Sequence, residues 1–314
     1  MSQVFSATLS AMLTMLICML VGFVLRKKKI EPEDTDSVLS KFLSFVVAPA
    51  MNFNSFLQNF NLQSLKENYT IILFSLLIAA IAVLIGSLLA KAFVKEGYAV
   101  GIYKYAIAFA NFGYMGTAVV LSIFGEEMLY YYLLFTTPMN LIVYTWGMTQ
   151  LIPGKKGLKA TLVRITNPTT IAVVLGVVAG LLNLNAYIPE FITGALSSLG
   201  NCMGPISMVL TGYVIGMFNM KQALTNVKIY IVSFLRLIVF PALYCALLML
   251  LGASDTVLII TLIAYAMPLG LNTVVFPAAY GADTSVGASM ALISNVLCII
   301  TFPLMYSLLS MIIK

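Results

Sequence analysis

Two apolar stretches of this chain are interrupted near their middles by residues that a continuous helix does not favour. One reads Ala108-Phe109-Ala110-Asn111-Phe112-Gly113-Tyr114-Met115-Gly116-Thr117, the other Ala266-Met267-Pro268-Leu269-Gly270-Leu271-Asn272-Thr273. Proline removes a backbone donor and glycine costs about 1 kcal/mol against alanine inside a helix, so both stretches are expected to unwind at the centre. The half-helix after each break then presents free N–H groups and roughly half a positive charge at its N-terminus. Two such ends brought together make a site for an anion such as a carboxylate without any lysine or arginine. The candidate contacts are Asn111, Gly113, Tyr114 and Gly116 from the first stretch, and Pro268, Gly270, Asn272 and Thr273 from the second. Packing and kinking by glycine and proline are the competing structural explanation.

Asn140 and Asn295, with Thr136 and Thr137, fall in the segments that follow the broken pair. Interhelical hydrogen bonding explains them as well as ligand contact does. Asn52 and Asn54, after Pro49, are further candidates from the other side, with packing the stronger explanation.

Other chemistries lack their groups. The chain has no histidine, and Cys18, Cys202, Cys245 and Cys298 fall singly inside apolar segments, which excludes zinc, haem and disulfide frameworks. No cofactor is expected. The segment cores contain no Asp or Glu, so neither an enzyme's acid–base pair nor an intramembrane proton relay can be drawn. Sodium held by broken-helix carbonyls and amide side chains, or uncoupled movement, are the alternatives. Arg236 is the charge set well inside a segment. Its depth of roughly 12 Å beyond Lys228 lets it snorkel to the interface as an anchor, or lend an attractive field for anions.

The elements that must position these residues follow from hydropathy. The sequence is 61% hydrophobic and 9% charged, too apolar to coat a soluble globule. Ten apolar segments are expected as helices: Val4–Leu25, Leu39–Leu57, Tyr69–Phe93, Val100–Phe124, Met128–Leu151, Pro168–Leu184, Ile188–Phe218, Ile229–Leu251, Val257–Tyr280 and Ser285–Ile313. Segments of roughly 20 residues cross about 30 Å of hydrocarbon with every backbone group satisfied internally. The first segment carries its positive cluster after it and is read as a retained helix rather than a signal peptide. Most Lys and Arg cluster in alternate connections: Arg26 to Lys29; Lys91, Lys95 and Lys104; Lys155, Lys156, Lys159 and Arg164; Lys221 and Lys228. By the positive-inside rule these loops are cytoplasmic and both termini lie outside a cell inner membrane. The net charge of +6 is thus a topology signal, with anionic lipid rather than nucleic acid as its partner.

The chain also repeats itself at an offset of about 156 residues. Phe109-Ala110 and Phe124-Gly125-Glu126-Glu127 recur as Tyr265-Ala266 and Tyr280-Gly281-Ala282-Asp283, and Pro49 recurs as Pro205. The expected architecture is an all-α membrane protein with two five-helix repeats, 1–157 and 158–314. Because five is odd, the second copy is inverted, and its broken ninth helix crosses the broken fourth at mid-membrane.

With these residues in hand, the chain resembles the auxin efflux carrier family, which includes plant auxin exporters and bacterial permeases for malate, malonate and related acids. The resemblance is carried by Val21-Gly22-Phe23-Val24-Leu25-Arg26, Leu39-Ser40-Lys41 with Pro49, the Asn111 to Gly116 run, Arg236 with Pro241, and Ala266-Met267-Pro268 through Tyr280-Gly281. It implies a scaffold part, about 4–57 and 168–218, and a moving transport part, about 69–151 and 229–313, in a homodimer. A substrate carboxylate at the crossing and elevator-like alternating access follow from it. The fourth-helix motif departs from the family's usual Gly-x-Pro, running Gly116-Thr117-Ala118. The rival functions are a sodium-coupled symporter of the bile acid transporter type and a non-transporting membrane sensor.

Overall fold

The computed structural model describes residues 2–30, 32, 34–152, 166–217, 225–279 and 282–313. Among them the chain is helical with no β-strand, and extended backbone pairs only at a bridge between Ala110 and Leu269. Lys155, Lys156, Lys159, Arg164, Lys221, Tyr280 and Gly281 lie outside the described residues.

Helix α1 (Ser2–Lys28) closes on Arg26, Lys27 and Lys28, cations suited to the negative end of a helix. Helix α2 (Thr35–Phe42) passes through a π turn (Leu43–Val47) into α3 (Ala48–Asn59). Helix α4 (Leu62–Phe93) starts ahead of the predicted Tyr69 because Asn61 builds a capping box. Its side chain accepts from the Ser64 amide at 2.8 Å, and its own amide donates to Ser64 Oγ at 3.0 Å.

Helix α5 (Ala99–Ala108) stops at the first break, and the chain resumes through a π turn (Phe112–Gly116) into α6 (Thr117–Ile142). Helix α6 kinks at Gly125, whose φ of 80° favours glycine, and runs through a third π turn (Val143–Gly147) into α7 (Met148–Leu151). Helix α8 (Pro168–Leu181) is capped by Asn167, and α9 (Glu190–Asn201) joins α10 (Met203–Gly216) at Cys202. Helix α11 (Val227–Phe234), a π turn (Leu235–Val239) and α12 (Phe240–Leu250) make one bent rod. Here, as before Pro49, the π turn precedes a proline, Pro241, that cannot donate to a regular ladder. Helix α13 (Asp255–Ala266), capped by Ser254, ends at the second break; α14 (Asn272–Ala279) and α15 (Ser285–Leu309) follow.

Among the described residues, six helical runs are long and apolar enough to cross a bilayer: Thr8–Lys28, Leu62–Phe93, Phe112–Leu151, Glu190–Gly216, Val227–Leu250 and Ser285–Leu309. Pro168–Leu181 and Asp255–Ala266 are shorter apolar helices. The outward faces are apolar too: Ile17, Leu84, Leu88, Val174, Leu243 and Leu304 are all exposed, as lipid contact requires.

Small residues set the closest helix contacts. A Cβ on Gly212 of α10 would lie 1.7 Å from the Met19 carbonyl oxygen, and one on Gly22 of α1 would lie 1.9 Å from that of Val209. Helix α8 approaches α3 in the same way, with Gly180 under the Phe60 carbonyl. Arg236 does not snorkel. It is fully buried, and its guanidinium carbon lies 5.2 Å from the centroid of the Tyr265 ring. Depth counted along the sequence missed the π turn around Arg236, where the side chain is turned into the protein.

Candidate functional site

The two breaks meet. Helix α5 ends at Ala108 and Phe109 turns extended, with φ −126° and ψ 138°; α13 ends at Ala266 and Met267 turns extended, with φ −70° and ψ 157°. The Asn111 amide donates to the Pro268 carbonyl at 2.8 Å, and Ala110 bridges Leu269 in antiparallel sense. The Leu269 amide is taken by Ser294 Oγ at 2.9 Å. Backbone groups freed by one break are thus partly satisfied by the other, as a membrane interior demands. Gly270 permits the approach, since a Cβ there would already sit 3.2 Å from the Ala110 carbonyl oxygen. The first break forms without the proline that the family motif usually carries after Gly116.

The half-helices that leave the crossing differ. After the first break, the Gly116 N–H donates back to the Asn111 carbonyl at 3.0 Å. Among the described residues, the N–H groups of Phe112, Gly113 and Tyr114 meet no backbone acceptor outside their own turn. After the second break, the Thr273 and Val274 amides close tight turns onto the Gly270 and Leu271 carbonyls, at 3.0 and 2.8 Å. The first half-helix thus presents the amides of Phe112 to Tyr114 at its N-terminal end, where an anion is favoured.

That end opens onto a cavity of ≈ 250 Å³. Asn52, Asn111, Gly113, Tyr114, Asn140 and Asn272 all line it, and no lining residue carries a formal charge. Asn111 is 3% exposed and its Nδ2 is buried without a partner, a donor held in reserve. Asn272 Nδ2 donates to Tyr105 Oη at 2.8 Å, and Asn52 Nδ2 to the Ala48 carbonyl at 2.8 Å, which fixes both amides. A Cβ on Gly113 would meet nothing within 4 Å. The arrangement can hold a small polar or anionic molecule by amide donors.

A family model described as "Membrane transport protein" matches residues 7–306. The chain belongs to this family, that of the auxin efflux carriers. It is also similar, at 22% identity over 303 residues, to a protein of Methanothermobacter thermautotrophicus named "Uncharacterized transporter", with 96% of this chain and 98% of that one covered. Family membership and the apolar helices together make this a multi-pass membrane transporter.

Within this family member, five of the predicted contacts lie off the cavity. A Cβ on Gly116 would lie 2.0 Å from Tyr132 Oη, so the glycine makes room for that hydroxyl, which donates to the Phe112 carbonyl at 2.9 Å. Pro268, Gly270 and Thr273 build the crossing itself; Thr273 Oγ1 donates to the Gly270 carbonyl at 2.8 Å. Asn295 is buried elsewhere, its Nδ2 on the Ala291 carbonyl at 2.7 Å beside an apolar recess lined by Met19 and Phe23. Sequence reasoning missed Ser40 and Ser44, one helical turn apart on the same cavity wall, and Tyr144 and Asn167. The i, i+4 serine pair was a legible signal; Asn167 read only as the residue before Pro168.

Proposed function

We propose that this family member is a secondary transporter of a small mono- or dicarboxylate, bound in the cavity at the crossing. The observation that carries the reading is the set of N–H groups from Phe112 to Tyr114 at the start of a half-helix, with the unpaired Asn111 Nδ2, facing an uncharged cavity. Amides aimed at one point bind an oxyanion without the desolvation penalty of burying a lysine. Carboxylates of malate, malonate or auxin-like size fit the chemistry of the site.

In this reading the chain crosses the inner membrane ten times, with both termini outside and two inverted halves. Two related halves are supported by reciprocal packing: the first span, α1, packs on α10 of the second half's second span, while α3 of the second span packs on α8 of the first span of the second half. Exchanging the halves maps one contact onto the other. Helices α1 to α3 with α8 to α10 form the scaffold of a homodimer, and α4 to α7 with α11 to α15 move as the transport part.

Purified protein in liposomes tests the reading. Uptake of at least one of radiolabelled malate, malonate and indole-acetate is expected. Failure of all three to move, with no thermal stabilisation by any, would sink it. Replacing sodium by potassium separates uncoupled transport, which is unaffected, from sodium symport, which stops.

A further inference from the structure

Arg236 is fully buried, and its Nε, Nη1 and Nη2 have no hydrogen-bond partner among the described residues. A guanidinium does not deprotonate in proteins, so a full positive charge sits in the helix bundle. Its surroundings are aromatic. Tyr265 lies beneath it, Tyr244 stacks edge-on against Tyr265 with centroids 4.8 Å apart, and the hydroxyls of both are themselves buried and unpaired. Ring faces offset part of the desolvation cost, yet they are weak compensation for an unpaired buried cation.

The position of this charge relates it to the cavity. Tyr265 is the penultimate residue of α13, immediately before the crossing. Tyr105, another of the phenols in electrostatic contact with Arg236, holds the Nδ2 of Asn272, which lines the cavity. The cavity wall has no formal charge of its own, and the interior between is weakly polarisable, so the field of Arg236 reaches the ligand little screened.

We propose that Arg236 is the specificity-determining charge of the transport site: without touching the substrate, it sets the sign of the potential at the crossing and selects acids over their neutral isosteres. This rests on the carboxylate reading of the cavity. A unit positive charge held in the bundle, at an effective dielectric of about 20, favours a bound anion over a neutral molecule of the same shape. A purely structural arginine would affect acid and isostere alike.

The test is the ratio of affinities for an acid and its amide, measured by calorimetry for malonate against malonamide, malate against malamide, and indole-acetate against its amide. In the wild type the ratio favours the acid. In Arg236→Gln it is expected to fall at least about threefold, while the affinity for the amide holds. Arg236→Lys supplies the same comparison within one folded protein, because a buried lysine has a depressed pKa and loses its charge as pH rises. Its acid preference should match the wild type at about pH 6 and decline by about pH 9, over a range in which the wild-type ratio stays flat. The phenols facing the position, Tyr105, Tyr244 and Tyr265, ordinarily titrate near about 10, above that range. An unchanged ratio in Arg236→Gln, or a ratio in Arg236→Lys that ignores pH, overturns the proposal. Absence of wild-type binding to every acid instead overturns the carboxylate reading on which it rests.

Discussion

The hydroxyl of Tyr132 reaches across the space above Gly116 and donates to the carbonyl of Phe112 at 2.9 Å. It ties the start of the broken half-helix to α6 from outside the crossing. Gly116→Ala would place a methyl carbon 2.0 Å from that oxygen. The bond must break or the turn must shift, at an expected cost of about 1–3 kcal/mol. A lowered melting temperature in nanodiscs, with weakened ligand binding, is the expected outcome; an unchanged melting point would show that the turn yields freely.

Asn111→Ala is expected to behave oppositely. Its Nδ2 is already buried without a partner, so removing it leaves no acceptor stranded. Stability should hold, while acid affinity falls by at least about tenfold, the loss of a hydrogen bond to a charged group. Equal losses of stability and affinity would mark the residue as packing.

Trp146, the single tryptophan, stands with its ring 6.1 Å from Phe109 at the crossing. Binding at the cavity should therefore change its fluorescence, saturably and with the same Kd as calorimetry. Trp146→Phe should abolish the signal and leave calorimetric affinity within about twofold.

The contact between α1 and α10 predicts a sharp contrast between glycines. Gly212→Ala puts a Cβ 1.7 Å from the Met19 carbonyl oxygen and should reduce the yield of monodisperse protein severely. Gly194→Ala, in α9 with nothing within 4 Å, should be neutral or stabilising by about 0.4–1 kcal/mol. Size-exclusion profiles of the two variants decide it.

The place of the site was legible because helix breakers at matched depth are rare enough to stand out: Asn111 with Gly113, and Pro268 with Gly270, mark both breaks. How each half-helix starts was not legible. For the second it depends on Thr273 and Val274 turning their amides back on Gly270 and Leu271, a local fold that composition does not encode. Asn295 resembles Asn140 in sequence position, but it faces Ala291 and an apolar recess. Arg236 looked close enough to the interface to escape; a π turn and Tyr265 hold it inside. Ser40 and Ser44 were legible as an i, i+4 pair, but only the cavity shows that their face is turned to the site.

The bond from Asn111 to Pro268 is made entirely of main-chain atoms. Side-chain substitution leaves both of its partners in place, short of a proline at position 111 that would delete the donor. The walls of the cavity can therefore accept substitutions that would suit new cargo, while the yoke between the two broken segments stays in place.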